Sequence, residues 1–306
     1  MATDAQVLPW RLQGHAAARA ELRSLTARAL LFTGPDGVGR RPLARWYAAW
    51  LNCLAQEAEP CGHCESCVMF RSGHPDLLEI APAATTAAGR LNRRPEIRIG
   101  QLVGRSGQDG EPLSDWLERS PLFRCRVGVI DSADRLTRAA ANSFLKMLEE
   151  PPSRARLVLI APDARSLLPT IASRVVPLLL GTVDTSGLEP AGHPAHRLGT
   201  PGPLFEAAAD AAQWQETEQL TEDFLAGLRG GLREAFAAAA ALQEALLGPA
   251  GNTVVQLLRS RLLDELPPAA AARALDALER SEEQLAAYAS PAVTLQLLVL
   301  ELRRLY

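Results

Sequence analysis

The sequence predicts an α/β domain on a mostly parallel sheet, followed by an all-helical domain. Short apolar runs at residues 29–33, 126–131 and 157–161 are each bounded by polar or turn residues and separated by helical stretches. Strands apolar on both faces and spaced by helices belong to a parallel sheet covered on both sides. From about residue 204 to 306 Ala and Leu dominate, and turn signals at Gly248-Pro249-Ala250-Gly251 and Pro267-Pro268 divide periodic segments. With 306 residues, 47% of them hydrophobic, the chain has material for two or three cores.

A net charge of -3 gives the whole chain no attraction to nucleic acid or to an anionic membrane, so any DNA contact is expected to be shared with partners. The first residues carry no basic start followed by an apolar core, and no run reaches 18 apolar residues. The expectation is a cytoplasmic protein with no membrane contact.

The first strand ends at Thr33, and residues 34–41 follow as Gly-Pro-Asp-Gly-Val-Gly-Arg-Arg. A glycine-rich turn between strand and helix is the setting of the phosphate loop G-x-x-x-x-G-K-[ST], whose lysine reaches the phosphates and whose hydroxyl holds magnesium. Gly34 and Gly39 stand at the motif's glycine positions with Gly37 between them, but Arg40 replaces the lysine and Arg41 the hydroxyl. Arginine for lysine suits a chain whose sole lysine is Lys146. Arg41 has no such excuse, because a guanidinium offers a cation no acceptor and its charge repels magnesium. The loop is read as degenerate, and ATP is not expected to be bound by this chain.

Next come Cys53, Cys61, Cys64 and Cys67, spaced C-x7-C-x2-C-x2-C with Pro60 and Gly62 as turn formers. Two-residue spacers let thiolates converge on one ion, and four sulfurs suit a closed, structural, tetrahedral zinc site with no open position for a catalytic water. Disulfides are the weaker reading for a cytoplasmic chain. His63 and His74 are not expected as ligands, and Cys125 is read as a core residue.

The strand at 126–131 closes on Asp131, the form of a Walker B segment, where the aspartate holds magnesium and a following acid polarises water. Here Ser132 follows, which cannot act as that base. The helix after it reads Ala-Ala-Ala-Asn-Ser-Phe-Leu-Lys-Met-Leu-Glu-Glu-Pro-Pro over residues 139–152. Its prolines stop it, and Glu149 to Pro152 reads as a structural corner before the third strand.

Together with His74-Pro75-Asp76 after the cysteines and Thr170-Ile-Ala-Ser173-Arg174 after the third strand, this order of motifs resembles the clamp-loader ATPases of bacterial replicative polymerases. In DNA polymerase III these include the gamma/tau and delta-prime subunits. The resemblance covers roughly residues 10–174. It continues more loosely through Leu198-Gly-Thr-Pro-Gly-Pro and through Ala289-Ser-Pro-Ala-Val-Thr-Leu, which is similar to the family's collar helix. It implies a P-loop NTPase-like AAA+ domain at 1–162 with a zinc module at about 53–67, a short helical lid and linker at 163–205, and a helical collar for hetero-oligomerisation at 206–306.

The family divides into motors, which keep G-K-[ST] and hydrolyse ATP, and stators of the delta-prime type, which commonly lack it. Arg40, Arg41 and Ser132 depart from three separate roles, which sets this chain with the stators, without activity alone. Arg174 is retained, and by resemblance it is the arginine finger offered in trans to a neighbour's ATP site, with Val175 where the family usually has cysteine. Fingers of this kind in related enzymes are worth about 10³ to 10⁵ in rate.

The implied role is DNA replication as part of the DNA polymerase III clamp loader. Gamma/tau and delta subunits are the expected partners, with the sliding clamp reached indirectly and primer-template DNA met in the assembled complex. Two rival readings stay open: a gamma-like ATPase that tolerates arginine in its loop, and a zinc-containing DNA-binding module. The net charge and the lack of a basic run near the cysteines weigh against the second.

Overall fold

The apolar runs become the inner strands of one parallel sheet. In the computed structural model β1 (Ala29–Thr33), β2 (Leu77–Ile80), β3 (Arg126–Ile130), β4 (Ala155–Ile160) and β5 (Val176–Leu179) lie in the order β2-β3-β4-β1-β5, every neighbouring pair parallel. The structure describes residues 14–82, 95–104, 111–183, 210–247, 251–286 and 290–306. These fall into two units, Met1–Val183 and Asp184–Tyr306.

Register fixes the centre of the sheet: Leu31 is paired with Leu159 on one side and Pro177 on the other. β1 is buried along its whole length, and β3 and β4 nearly so, which is why their sequences are continuously apolar. The edge strands differ. β2 is half-buried and carries Glu79, while β5 is mostly exposed and admits Pro177, whose missing N–H is harmless on an edge.

Helix α1 (Ala16–Ser24) precedes the sheet, and α2 (Arg40–Asn52), α3 (Glu65–Met69), α4 (Ile99–Leu102), α5 (Leu113–Glu118), α6 (Arg138–Glu149) and α7 (Pro169–Ala172) lie in the crossovers. α2 lays Leu43, Ala44, Trp46 and Tyr47 into a core with Phe32, Val127 and Val158. The alternate residues Leu31, Ile130 and Leu157 join a second core with Phe144 of α6 and Leu113 of α5. Burying each large side chain of this kind contributes about 1.5 to 3 kcal/mol. Thr137 starts α6 by accepting the Ala140 N–H at 3.2 Å.

The stretch expected to open a lid at residue 163 instead belongs partly to the sheet, because β5 pairs with β1. An exposed edge strand containing proline lacks the apolar run by which inner strands are recognised. The remainder of the expected lid and linker, residues 184–205, lies outside the described residues.

The second unit is helical: α8 (Ala211–Arg229), α9 (Leu232–Leu247), α10 (Gly251–Glu265), α11 (Pro268–Ala286) and α12 (Pro291–Leu302). Asp210 caps α8 by accepting the Gln213 N–H at 2.9 Å. Phe224, Leu242, Leu258, Ala274 and Leu298 meet in one core. A Cβ on Gly227 would stand 3.1 Å from the Ala235 Cα, so glycine lets α8 and α9 approach closely. No helix among the described residues is long and apolar enough to cross a membrane.

Candidate functional site

At the carboxyl end of β1 the chain turns through Gly34, Gly37 and Gly39, with φ of 141°, 74° and 104°. All three lie in the region that favours glycine. Gly34 has a second reason, since a Cβ there would come 2.4 Å from the Leu180 carbonyl oxygen. Gly39 caps α2, and the ring of His15 holds the Val38 carbonyl oxygen at 2.7 Å. The loop therefore stands between strand and helix as the sequence predicts.

Arg40 and Arg41 begin α2. Arg40 turns back to pair with Asp36, four residues earlier. Arg41 points to the ends of the neighbouring strands: its Nη2 lies 3.4 Å from Glu79 Oε2 and its Nη1 3.8 Å from Asp131 Oδ2. One turn later Arg45 grips Glu79 with two nitrogens, Nε at 2.8 Å and Nη2 at 2.6 Å. Burial pushes the Glu79 carboxyl upward, but hydrogen bonds from Arg45 and Arg41 outweigh it and hold the group below its ordinary value. The bond to Glu79 correspondingly raises Arg45. Ser132 follows Asp131 in a left-handed conformation, with φ of 57°. Chemically this is a closed network of two guanidinium and two carboxylate groups, with the α2 cations filling the space beside the acidic strand ends.

The four cysteines converge. Their sulfurs all lie within 4.8 Å of one another, with Cys61 and Cys67 Sγ 4.0 Å apart, and all four are free thiols. Sulfurs about 2.3 Å from a tetrahedral ion are separated by about 3.8 Å, so the set could hold one metal ion. Local folding builds it: Cys53 ends α2, Cys64 caps α3, and Cys67 lies within α3. Backbone N–H groups of Cys61, Cys64 and Cys67 point at the sulfurs of Cys53, Cys61 and Cys64, at 3.3, 3.4 and 3.5 Å. Such donors favour thiolate. Burial raises the Cys61 thiol, but amide donors from His63 and Cys64 outweigh it and lower the group to about 6. The loop between helix and cluster is pinned by Trp46 Nε1 on Glu59 at 2.8 Å and Trp50 Nε1 on the Glu57 carbonyl at 3.0 Å. Cys125 is buried in the core, apart from this set.

Arg174 follows α7 and reaches the end of α6. Its Nε and Nη2 lie 2.7 and 2.6 Å from one oxygen of Glu149, and its Nη1 donates to the Thr170 carbonyl at 2.8 Å. Sequence reading took Glu149 only as part of a corner and did not connect it to Arg174.

Residues 21–184 match the family model described as DNA polymerase III, delta subunit. The chain belongs to this family of clamp-loader subunits. Family relatives include the tau/gamma subunit of Haemophilus influenzae DNA polymerase III, 33% identical over 59% of this chain and 24% of the relative. The delta' subunit of Pseudomonas aeruginosa is 33% identical over 56% of this chain and 48% of the relative. The aligned part thus spans a quarter to a half of these relatives. A gamma subunit-related protein from Thermotoga maritima shares the fold, with a TM-score of 0.50 at 20% identity over 94% of this chain and 98% of that one.

In this family member His74 and Asp76 of the His74-Pro75-Asp76 motif form a buried brace. Asp76 Oδ1 and Oδ2 accept the Leu122 and Phe123 N–H groups at 2.8 Å each, fixing the chain just ahead of β3. His74 Nδ1 accepts the Asp76 N–H at 3.1 Å, which leaves the proton on Nε2 to face Ser66 Oγ at 3.1 Å. Its ring stacks on Phe70 at 4.1 Å. Burial pushes the imidazole down to about 4, against the raising effect of Asp76, so the ring is neutral. Asn52, fully buried beside Cys53, donates to the Ala48 and Cys125 carbonyls and accepts the Arg124 and Cys125 N–H groups. Nothing in the sequence marked Asn52, since its partners lie more than 70 positions away apart from Ala48.

Proposed function

We propose that this chain is a non-hydrolysing stator of the DNA polymerase III clamp loader, in the delta-prime role, helping to place the sliding clamp on primed DNA. The observation that carries it is the Arg41 guanidinium between Glu79 and Asp131, at the position where an ATPase needs a hydroxyl and magnesium. A cation fixed by the fold leaves the two carboxylates compensated without a metal. Gly34, Gly37 and Gly39 keep the turn that joins β1 to α2, and the altered side chains leave it without the means to activate a phosphate.

On this reading the chain acts through shape and through Arg174. The helical unit serves as the collar that joins gamma/tau and delta subunits, and Arg174 enters a neighbour's ATP site, where its charge offsets that developing on the transferred phosphoryl group. DNA is met by the assembled loader rather than by this chain alone. Cys53, Cys61, Cys64 and Cys67 hold a structural zinc, the ion suited to four thiolates in a closed tetrahedral set. When bound it supplies a cross-link; the cysteines close the loop after α2 onto α3.

Calorimetric titration of the isolated chain with Mg-ATP, with a hydrolysis assay in parallel, tests the reading. No saturable binding and no turnover are expected, while the chain reconstituted with gamma/tau and delta subunits supports ATP-dependent clamp loading. Tight binding with steady turnover by the chain alone would sink the stator role.

A further inference from the structure

We propose that Glu149 is the positioning residue for Arg174, holding its guanidinium at the chain surface in the orientation from which a neighbour's phosphate can take it. This rests on the finger reading of Arg174. Four contacts hold the side chain: Nε and Nη2 on one Glu149 oxygen at 2.7 and 2.6 Å, and Nη1 on the Thr170 carbonyl at 2.8 Å and on Ser173 Oγ at 3.4 Å. A long flexible side chain is thereby held in one arrangement before any partner arrives, which is what lets an arginine act without first being ordered.

The placement of Glu149 is not explained by α6. It is the last residue of that helix, where the helix dipole is negative and a cation, not a carboxylate, is favoured. A second acid, Glu150, caps the same end, so the local sequence adds negative charge where the helix least accommodates it. Pro151 then fixes the backbone, and its carbonyl oxygen accepts Arg28 Nη1 at 3.3 Å. The carboxylate is thus mounted on a rigid corner, and the partner described for it is Arg174.

The pair is also accessible from solvent. The side chains of Arg174 and Glu149 are 35% and 49% exposed, on the rim of an open cavity of about 450 Å³ that also presents Arg28 and Glu150. An ion pair this exposed is weak, so a multiply charged phosphate can displace the carboxylate at little cost. Glu149 orders the finger without trapping it.

The test uses the loader reconstituted with gamma/tau and delta subunits, sliding clamp, primed DNA and Mg-ATP, with assembly of each variant followed by size exclusion. Glu149→Gln is expected to lower kcat for ATP by about three- to fivefold, the range an exposed pair allows, with KM unchanged, and Glu149→Asp to restore most of it. In an Arg174→Ala background Glu149→Gln should have no further effect. If Arg174→Ala lowers turnover but Glu149→Gln does not, the positioning role is wrong and the finger stands. Faster turnover in Glu149→Gln, or a loss that persists without Arg174, also overturns it. Unchanged turnover in Arg174→Ala overturns the finger reading and this inference with it.

Discussion

The Arg41 guanidinium lies 3.8 Å from the Asp131 carboxylate, Nη1 to Oδ2, and so ties the first turn of α2 to the end of β3. Glu79, at the end of β2, sits on the other side of Arg41 and is gripped more tightly by Arg45. Removing Glu79 leaves two neighbouring cations with Asp131 as the remaining acid in the network. We predict that Glu79→Ala destabilises the chain by about 1 kcal/mol at pH 7, the modest value reflecting the partial exposure of these groups. Glu79 is held below its ordinary carboxylate value by Arg45 and Arg41 acting against burial. Its contribution is therefore present above that value and lost as pH falls through the carboxylate range. Urea titrations at pH 7 and pH 4 check this: the gap between variant and parent should narrow at the lower pH, and a gap that widens contradicts it.

Metal content gives a second prediction. Four thiols within 4.8 Å of one another, two of them buried, leave the loop after α2 with sulfur rather than a broad apolar surface to hold it. The purified chain should contain about one zinc ion, lost in Cys64→Ser, with stability lowered by several kcal/mol. Trp46 and Trp50 hydrogen-bond to Glu59 and to the Glu57 carbonyl in that loop, so a chelator should also change tryptophan fluorescence. Chain purified without metal and indifferent to added zinc would refute the site.

Acid stability provides a third. His74 is lowered from 6.5 to about 4 by burial, so between these values the unfolded chain binds a proton that the folded chain does not. Stability should be full above pH 6.5 and fall as pH drops toward 4, by up to about 3 kcal/mol from this group. Between pH 6.5 and 5 ordinary carboxylates change little, and the Cys61 thiol, lowered to about 6, is common to parent and variant, so the difference between the two isolates the histidine. Denaturation of the parent and of His74→Asn across that interval should give a steeper loss for the parent, and equal slopes would count against a buried neutral imidazole.

What could be read in advance follows from how local each signal is. The inner strands announced themselves because both faces of β1, β3 and β4 are buried, so nearly every position is apolar. β2 and β5 did not, because an edge strand with Glu79 or Pro177 carries no continuous apolar run. Missing β2 meant missing Glu79, and with it the second carboxylate that engages Arg41. Cys61, Cys64 and Cys67 were legible since two-residue spacing brings their sulfurs together, and Cys53 joins them from the end of α2. The Arg174 and Glu149 pair was not, because 25 residues and a strand separate them in sequence.

The buried aspartate of the H-P-D motif gives the last prediction. Asp76 is fully buried and its two oxygens take separate backbone donors, Leu122 and Phe123, that have no strand partner at that point in the chain. Its own carbonyl accepts the Val127 N–H at 2.8 Å, so one residue sets both the approach to β3 and its register beside β2. Alanine removes both acceptors and leaves two donors facing a cavity, whereas asparagine keeps one oxygen and turns an amide donor toward the other N–H. Hydrogen bonds to a charged group are worth about 1.5 to 3 kcal/mol, and a stranded buried donor about 1 to 3. Asp76→Ala should therefore cost about 3 kcal/mol or more. Asp76→Asn should cost nearly as much, because it places donor against donor in a site that water does not reach. Serine in place of Glu118, on the exposed side of α5, should by comparison cost less than about 0.5 kcal/mol. Chemical denaturation of the three variants at pH 7 decides it: an Asp76→Asn chain as stable as the parent would mean that the carboxylate charge is not what holds the segment ahead of β3.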